Sequence, residues 1–112
     1  MASTDRLHRL AGEILSEFRR TGRAGVPGYK GFRFLRETEE AIHVTREGGQ
    51  VARVPFSRLN IAIAAAVENP DVYEGGPSKL REYGLTHVTS PIWALLRVLP
   101  RERYAKIARS RA

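Results

Sequence analysis

Lys79 and Arg81 are followed by Thr86, His87, Thr89 and Ser90, so two cations precede a cluster of short hydrogen-bonding side chains. Cations meet phosphate oxygens, while hydroxyl and imidazole groups can hydrogen-bond to base edges. That order of chemistries suits contact with a nucleic acid. The stretch from Pro77 to Pro100 reads as a short helix, a turn at Gly84 and a second helix opened by Ser90-Pro91. Glycine readily takes the left-handed conformation that ends a helix, serine caps the next one, and proline suits its first position. In DNA readers with this helix-turn-helix order, the N-terminal residues of the second helix approach the bases. Here those are Thr86, His87, Thr89 and Ser90, with Lys79 and Arg81 placed to touch phosphate.

The second helix complicates that reading. Arg97 is its only charge, and Ile92, Trp93, Ala94, Leu95, Leu96, Val98 and Leu99 make it otherwise apolar. A recognition helix needs a polar outer face, and the turn from Gly84 to Ser90 is long for such a motif. The same residues fit a central core helix or a contact surface anchored by Trp93 and Leu99. An exposed Trp93–Leu99 patch implies a homodimer or another protein partner. A buried one leaves the N-terminal end of the helix to meet nucleic acid.

Other cations fall in three groups. Arg101, Arg103, Lys106, Arg109 and Arg111 oppose only Glu102 and form a basic tail that can neutralise phosphates, or simply stay solvated. Arg19, Arg20 and Arg23 lie where the first helix ends and complement its dipole. Lys30, Arg33, Arg36, Arg46 and Arg53 lie in a β region. If Arg33 and Arg53 share the face opposite Phe34, they form a basic patch near Tyr29 suited to single-stranded nucleic acid. The plainer reading assigns Phe32 and Phe34 to the core.

No catalytic constellation is present in the sequence. Glu39-Glu40 fall in a turn without a partner at fixed spacing, and Ser57, Ser78 and Ser90 read as caps. Gly48-Gly49 and Gly75-Gly76 lack the lysine spacing of a phosphate-binding loop. His8, His43 and His87 are far apart, and cysteine is missing, so no metal site and no cofactor are expected.

These residues sit in a chain of 112 residues, the length of one domain. The formal net charge is +7 from 19 basic and 12 acidic residues. The basic residues are 16 Arg and 3 Lys. Arginine forks onto phosphate in a planar geometry, although an Arg-rich source composition also explains the preference for Arg over Lys. The apolar content of 42% supports a packed core. No apolar run approaches the ~20 residues of a membrane helix, and the start lacks the layout of a secretory signal, so a soluble cytoplasmic protein is expected.

Leu7, Leu10, Ile14 and Phe18 recur at helical spacing and predict a helix over 4–20. Alternation predicts three strands, over 29–36, 41–46 and 51–54, with a hairpin at Glu47-Gly48-Gly49-Gln50. A nearly all-apolar helix over 57–68, capped by Ser57 and stopped by Pro70, follows. Asp71 to Gly76 reads as a loop with room for one irregular turn, and 77–83 and 90–99 as the last two helices. The expected domains are one unit over 1–100 (helix and linker 1–25, β-meander 26–54, helical region 55–100) and a basic tail over 101–112, for which Tyr104 and Ile107 offer a helical alternative.

Val54-Pro55 leading into an apolar helix, then Thr89-Ser90-Pro91-Ile92-Trp93-Ala94-Leu95-Leu96-Arg97-Val98-Leu99-Pro100, resembles a small module joined to some restriction-type nucleases. The resemblance covers about residues 40–100, and without the nuclease part it implies a recognition or accessory role. The expected fold is α+β: an N-terminal helix, a three-stranded antiparallel meander, and a trihelical, winged-helix-like region. The expected function is a small DNA-binding protein, acting in transcription regulation or as a recognition accessory. Its contacts would be Lys79, Arg81, Thr86, His87, Thr89, Ser90, Arg97, Arg101, Arg103 and Arg109. A protein-interaction module built on Trp93 and Leu99 is the alternative, and RNA binding a further one.

Overall fold

In a computed structural model, residues 4–25, 28, 31–46 and 49–109 are described. Helix α1, Thr4–Thr21, forms because Leu10, Ile14 and Phe18 line one face and are at most 1% exposed. It ends where Gly22 turns to a positive φ and donates its N–H to the carbonyl of Phe18.

Four strands follow: β1 (Arg23–Ala24), β2 (Phe32–Glu37), β3 (Ala41–Arg46) and β4 (Val51–Pro55). They form one antiparallel sheet in the order β1-β2-β3-β4. The meander therefore has four strands rather than the expected three. A two-residue strand is too short to show alternation, so β1 is invisible to periodicity. Thr38 shapes the β2–β3 turn by accepting the Ala41 N–H on its hydroxyl.

One face of the sheet, carrying Phe32, Phe34, Ile42, Val44 and Val54, packs under the helices. The Phe18 ring of α1 meets the Phe34 ring edge-on, with centroids 5.8 Å apart. Helix α2, Phe56–Glu68, buries Leu59, Ala62, Ile63, Ala65, Ala66 and Val67. It starts one residue before the expected cap: Pro55 holds the N-cap position without a side-chain bond, and Ser57 lies exposed in the first turn. Asn69 ends α2 and caps the short helix α3, Pro70–Glu74, by accepting the Asp71 N–H on its side chain. That cap is why a helix stands where a loop is expected.

A 3₁₀ helix, Pro77–Tyr83, ends at Gly84 with φ 82°, as the glycine predicts. Helix α4, Thr89–Leu96, begins after Val88, which has φ 51°. Ser90 therefore lies inside the helix instead of capping it. Helix α5 spans Arg101–Arg109. Most of the tail thus takes the helical alternative, because Tyr104 turns inward and is 2% exposed.

Helix α4 is the centre of the core. Pro91, Ile92, Trp93, Ala94, Leu95 and Leu96 are all buried. The Trp93 indole N–H donates to the carbonyls of Val72 and Tyr73, both at 3.1 Å. The Tyr73 hydroxyl donates to the Leu99 carbonyl at 2.8 Å, and the Tyr104 hydroxyl to the Leu96 carbonyl at 2.7 Å. Burial pushes the Tyr104 phenol pKa well up, so this group remains a protonated donor. Among the described residues no helix is long and apolar enough to cross a membrane.

Trp93→Phe keeps most of the ring volume but removes the indole donor. It should lower stability by about 1–3 kcal/mol in urea denaturation, the penalty of taking the indole donor from the Val72 carbonyl, while the Tyr73 carbonyl keeps Arg97. An unchanged midpoint would mean that the Val72 and Tyr73 carbonyls do not need this donor.

Candidate nucleic-acid interface

The sheet face turned away from the helices is basic. In antiparallel pairing, directly opposed side chains stand about 5 Å apart on the same face. The register places Arg23 opposite Arg33, Arg33 opposite Thr45, and Thr45 opposite Val51, forming one row across four strands. A second row runs from Arg36 to His43 to Arg53. All four arginines in these rows are exposed.

Arg36 reaches this face through a β-bulge. The register steps from Phe34 opposite Val44 to Arg36 opposite His43, so Leu35 is an extra residue. Strict alternation would turn Arg36 to the helix side; the bulge re-aims it beside Arg33. Leu35 and Val51 are 46% and 60% exposed and add apolar surface to the strands carrying the rows.

The charge here is poorly balanced. Arg53 lies 3.6 Å from Glu40, a solvent-exposed pair of small energetic weight. Among the described residues, Arg23, Arg33 and Arg36 have no carboxylate within ion-pair distance. Other cations are engaged: Arg19 bridges to Glu37 at 2.7 Å, and Arg20 pairs with Glu17, whose pKa this bond lowers. Like charges directly opposed across strands destabilise a sheet. The Arg23–Arg33 pair therefore works against the fold.

Aromatic rings are placed elsewhere. Phe32 and Phe34 turn to the helix side, and Tyr73, Trp93 and Tyr104 are buried. The face offers guanidinium, imidazole, hydroxyl and methyl groups, without a stacking platform among the described residues. Arg33 and Arg53 do share the face opposite Phe34, whereas Arg46 faces the helices, with its guanidinium carbon 5.7 Å from the centre of the Phe32 ring. Tyr29 and Lys30 lie outside the described residues.

The residues singled out between 77 and 109 are not brought to one surface. Thr86 and His87 are exposed in the turn before α4. Thr89 and Ser90 are half-buried and line a cleft of about 280 Å³ with Arg46 and Gln50 of the β3–β4 hairpin. Lys79 and Arg81 lie on the 3₁₀ helix, the first half-buried and the second exposed.

Arg97 is turned into the protein. It donates to the Tyr73 carbonyl at 3.1 Å, and its guanidinium carbon is 4.4 Å from the centre of the Tyr73 ring. Arg101 pairs with Glu74 at 3.3 Å, Arg103 pairs with Glu13, and Arg109 is exposed near the end of α5. Trp93 and Leu99 are 3% and 8% exposed, so they form no surface patch.

Three members of the basic face escape sequence reasoning. Arg23 looks like a helix-end cation, Arg36 has the wrong alternation, and His43 is a lone histidine. The short Leu-Arg-Glu run after Phe34 is the one available trace of the bulge. No protein-family model, curated protein or solved structure matches the chain.

Arg33→Thr removes the opposed like charges and places a good strand former in β2. Stability should rise by up to about 0.5 kcal/mol at low salt, with a smaller gain at high salt where the repulsion is screened. A loss near 1 kcal/mol in thermal melts would instead give Arg33 a structural contact.

Proposed function

We propose that this chain is a nucleic-acid-binding protein that holds duplex DNA on the outer face of its sheet. One observation carries the reading: Arg23, Arg33, Arg36 and Arg53 share an exposed face with His43, and among the described residues only Glu40 comes within ion-pair distance of them. An arrangement that opposes two arginines at a cost to the fold is explained by an anionic ligand. A polyanion gains entropy by releasing counterions when such cations replace them.

Duplex DNA fits this surface better than a single strand. Single-strand binding relies on rings on which bases stack, and the face has none among its described residues. Arg36 and Arg53 lie two strands apart, about 10 Å by strand spacing. The major groove of B-DNA is about 12 Å wide and admits β-structure. In this reading Arg36 and Arg53 reach phosphates on the two lips of the groove, and His43 between them points at its floor.

The helix-turn-helix-like, winged-helix-like reading then takes a modified form. Helix α4 stays in the core, and the contacts come from the turn before it. Thr86 and His87 supply them, near the point where Thr89 and Ser90 meet the hairpin at Gln50. Lys79 and Arg81, on the 3₁₀ helix, add phosphate contacts apart from that turn. The role that follows is recognition, as a regulator or as an accessory to another protein's chemistry.

Fluorescence anisotropy with labelled duplex and single-stranded DNA across a salt series tests this. The Arg33→Glu/Arg53→Glu double variant should bind duplex at least about tenfold more weakly and reduce the slope of log affinity against log salt by about 2. The wild-type protein should prefer duplex to single strands. Unchanged duplex affinity in the double variant removes the sheet face from the reading. A preference for single strands overturns the duplex assignment.

A further inference from the structure

The outer sheet face carries four arginines and, among the described residues, a single imidazole. Arginine stays charged at every physiological pH, whereas histidine is the side chain whose charge ordinarily changes between about pH 5 and 8. His43 stands in the middle of its row, with Arg36 of β2 on one side and Arg53 of β4 on the other. The bulge creates this setting. A regular ladder continuing from Phe34 opposite Val44 would set Leu35 beside His43 and Arg36 opposite Ile42; the extra residue exchanges that leucine for a cation.

The other groups around His43 leave the row cationic. Arg33 lies diagonally across on β2, opposite Thr45. Glu40 lies 3.6 Å from Arg53, with 85% of its side chain exposed. Glu37 stands opposite Ile42 and pairs with Arg19 of α1, on the helix side of the sheet. Along β3, the neighbours of His43 on its own face are Ala41 and Thr45, which carry no charge. The imidazole itself is half-buried. Among the described residues no hydrogen bond or ion pair engages its ring, and neither ring nitrogen is sealed from water without a partner. A proton can therefore arrive from solvent without breaking a contact.

We propose that protonation of His43 regulates the sheet face, so that the protein holds duplex DNA more tightly as pH falls. The inference rests on the DNA reading of that face. A neutral imidazole has one donor and one acceptor, while the charged form donates from both nitrogens. Charged His43 thus adds a third cation between Arg36 and Arg53 and offers two donors to base-edge acceptors on the groove floor. Proton binding and polyanion binding favour each other, and the linkage is reciprocal. Protons are taken up when DNA binds. Affinity is therefore highest where histidine is charged and falls as pH rises through the histidine range. Above that range the arginines hold the duplex alone, more weakly.

Fluorescence anisotropy with labelled duplex DNA at about pH 5.5 and about pH 8, each across a salt series, tests the assignment on the full chain. The wild-type protein should bind about five- to tenfold more tightly at the lower pH. Its slope of log affinity against log salt should be steeper there by about 0.9, the release of one further counterion. His43→Gln should bind like wild type at the higher pH and lose the response to pH. His43→Arg, with a permanent cation in the same place, should bind equally at both pH values and more tightly than His43→Gln. His87→Gln, changed at the exposed histidine of the turn before α4, should keep the wild-type response.

Equal duplex affinity of the wild-type protein at the two pH values overturns the proposal and leaves the DNA reading standing. So does a full pH response in His43→Gln, or a response lost only in His87→Gln. Absence of duplex binding at both pH values overturns the DNA reading, and this regulation with it.

Discussion

Helix α4 buries six consecutive side chains, Pro91 to Leu96, and the chain closes round it on every side. A helix apolar all round has no face to give to solvent. Its neighbours therefore include α1, α2, the 3₁₀ helix and both edges of the sheet. The indole of Trp93 adds direction to this packing. Its N–H draws in the Val72 and Tyr73 carbonyls, which fixes α3, and α3 in turn holds the Tyr73 hydroxyl against Leu99. Tyr104 closes the same circuit from α5 through the Leu96 carbonyl. Tyrosine and tryptophan can serve deep in a core only because each polar atom finds a backbone acceptor.

That packing decides where charge can go. With one sheet face committed to the helices, the outer face collects every outward-pointing side chain of the strands. Arginine there meets little compensation, whereas several arginines of the helical layer are paired: Arg19 with Glu37, Arg20 with Glu17, Arg101 with Glu74, Arg103 with Glu13. The net charge of +7 is thus unevenly distributed. A face with unbalanced cations steers polyanions far more strongly than the same charges spread evenly. The bulge at Leu35 sharpens this contrast by adding Arg36 to the outer row at the expense of regular pairing.

Much of the fold was legible from residue order. The spacing of Leu7, Leu10, Ile14 and Phe18 predicts α1, alternation predicts β2 to β4, and Gly84 predicts the end of the 3₁₀ helix. What stayed hidden had no local signature. Strand β1 is held by its partner rather than by its own pattern. Helix α3 depends on one asparagine side chain, and α4 opens at a left-handed valine that propensity would never choose. Arg97 looked like a surface cation because it is the only charge on its helix, yet Tyr73 and Trp93 give it a ring stack and a carbonyl.

The sequence by itself determined most element types, the excess of cations and the presence of two largely apolar helices, because periodicity and composition act through near neighbours along the chain. Which cations stand together was decided only by tertiary structure. Arg23, Arg33, Arg36, His43 and Arg53 span three turns of the meander, and their common face follows from strand register and one bulge. Arg9 and Lys106 lie near opposite ends of the chain, yet both line one cleft between α1 and α5. Register and helix docking are set by the fit of the whole core, and a slip of one residue in any strand would turn its arginines inward.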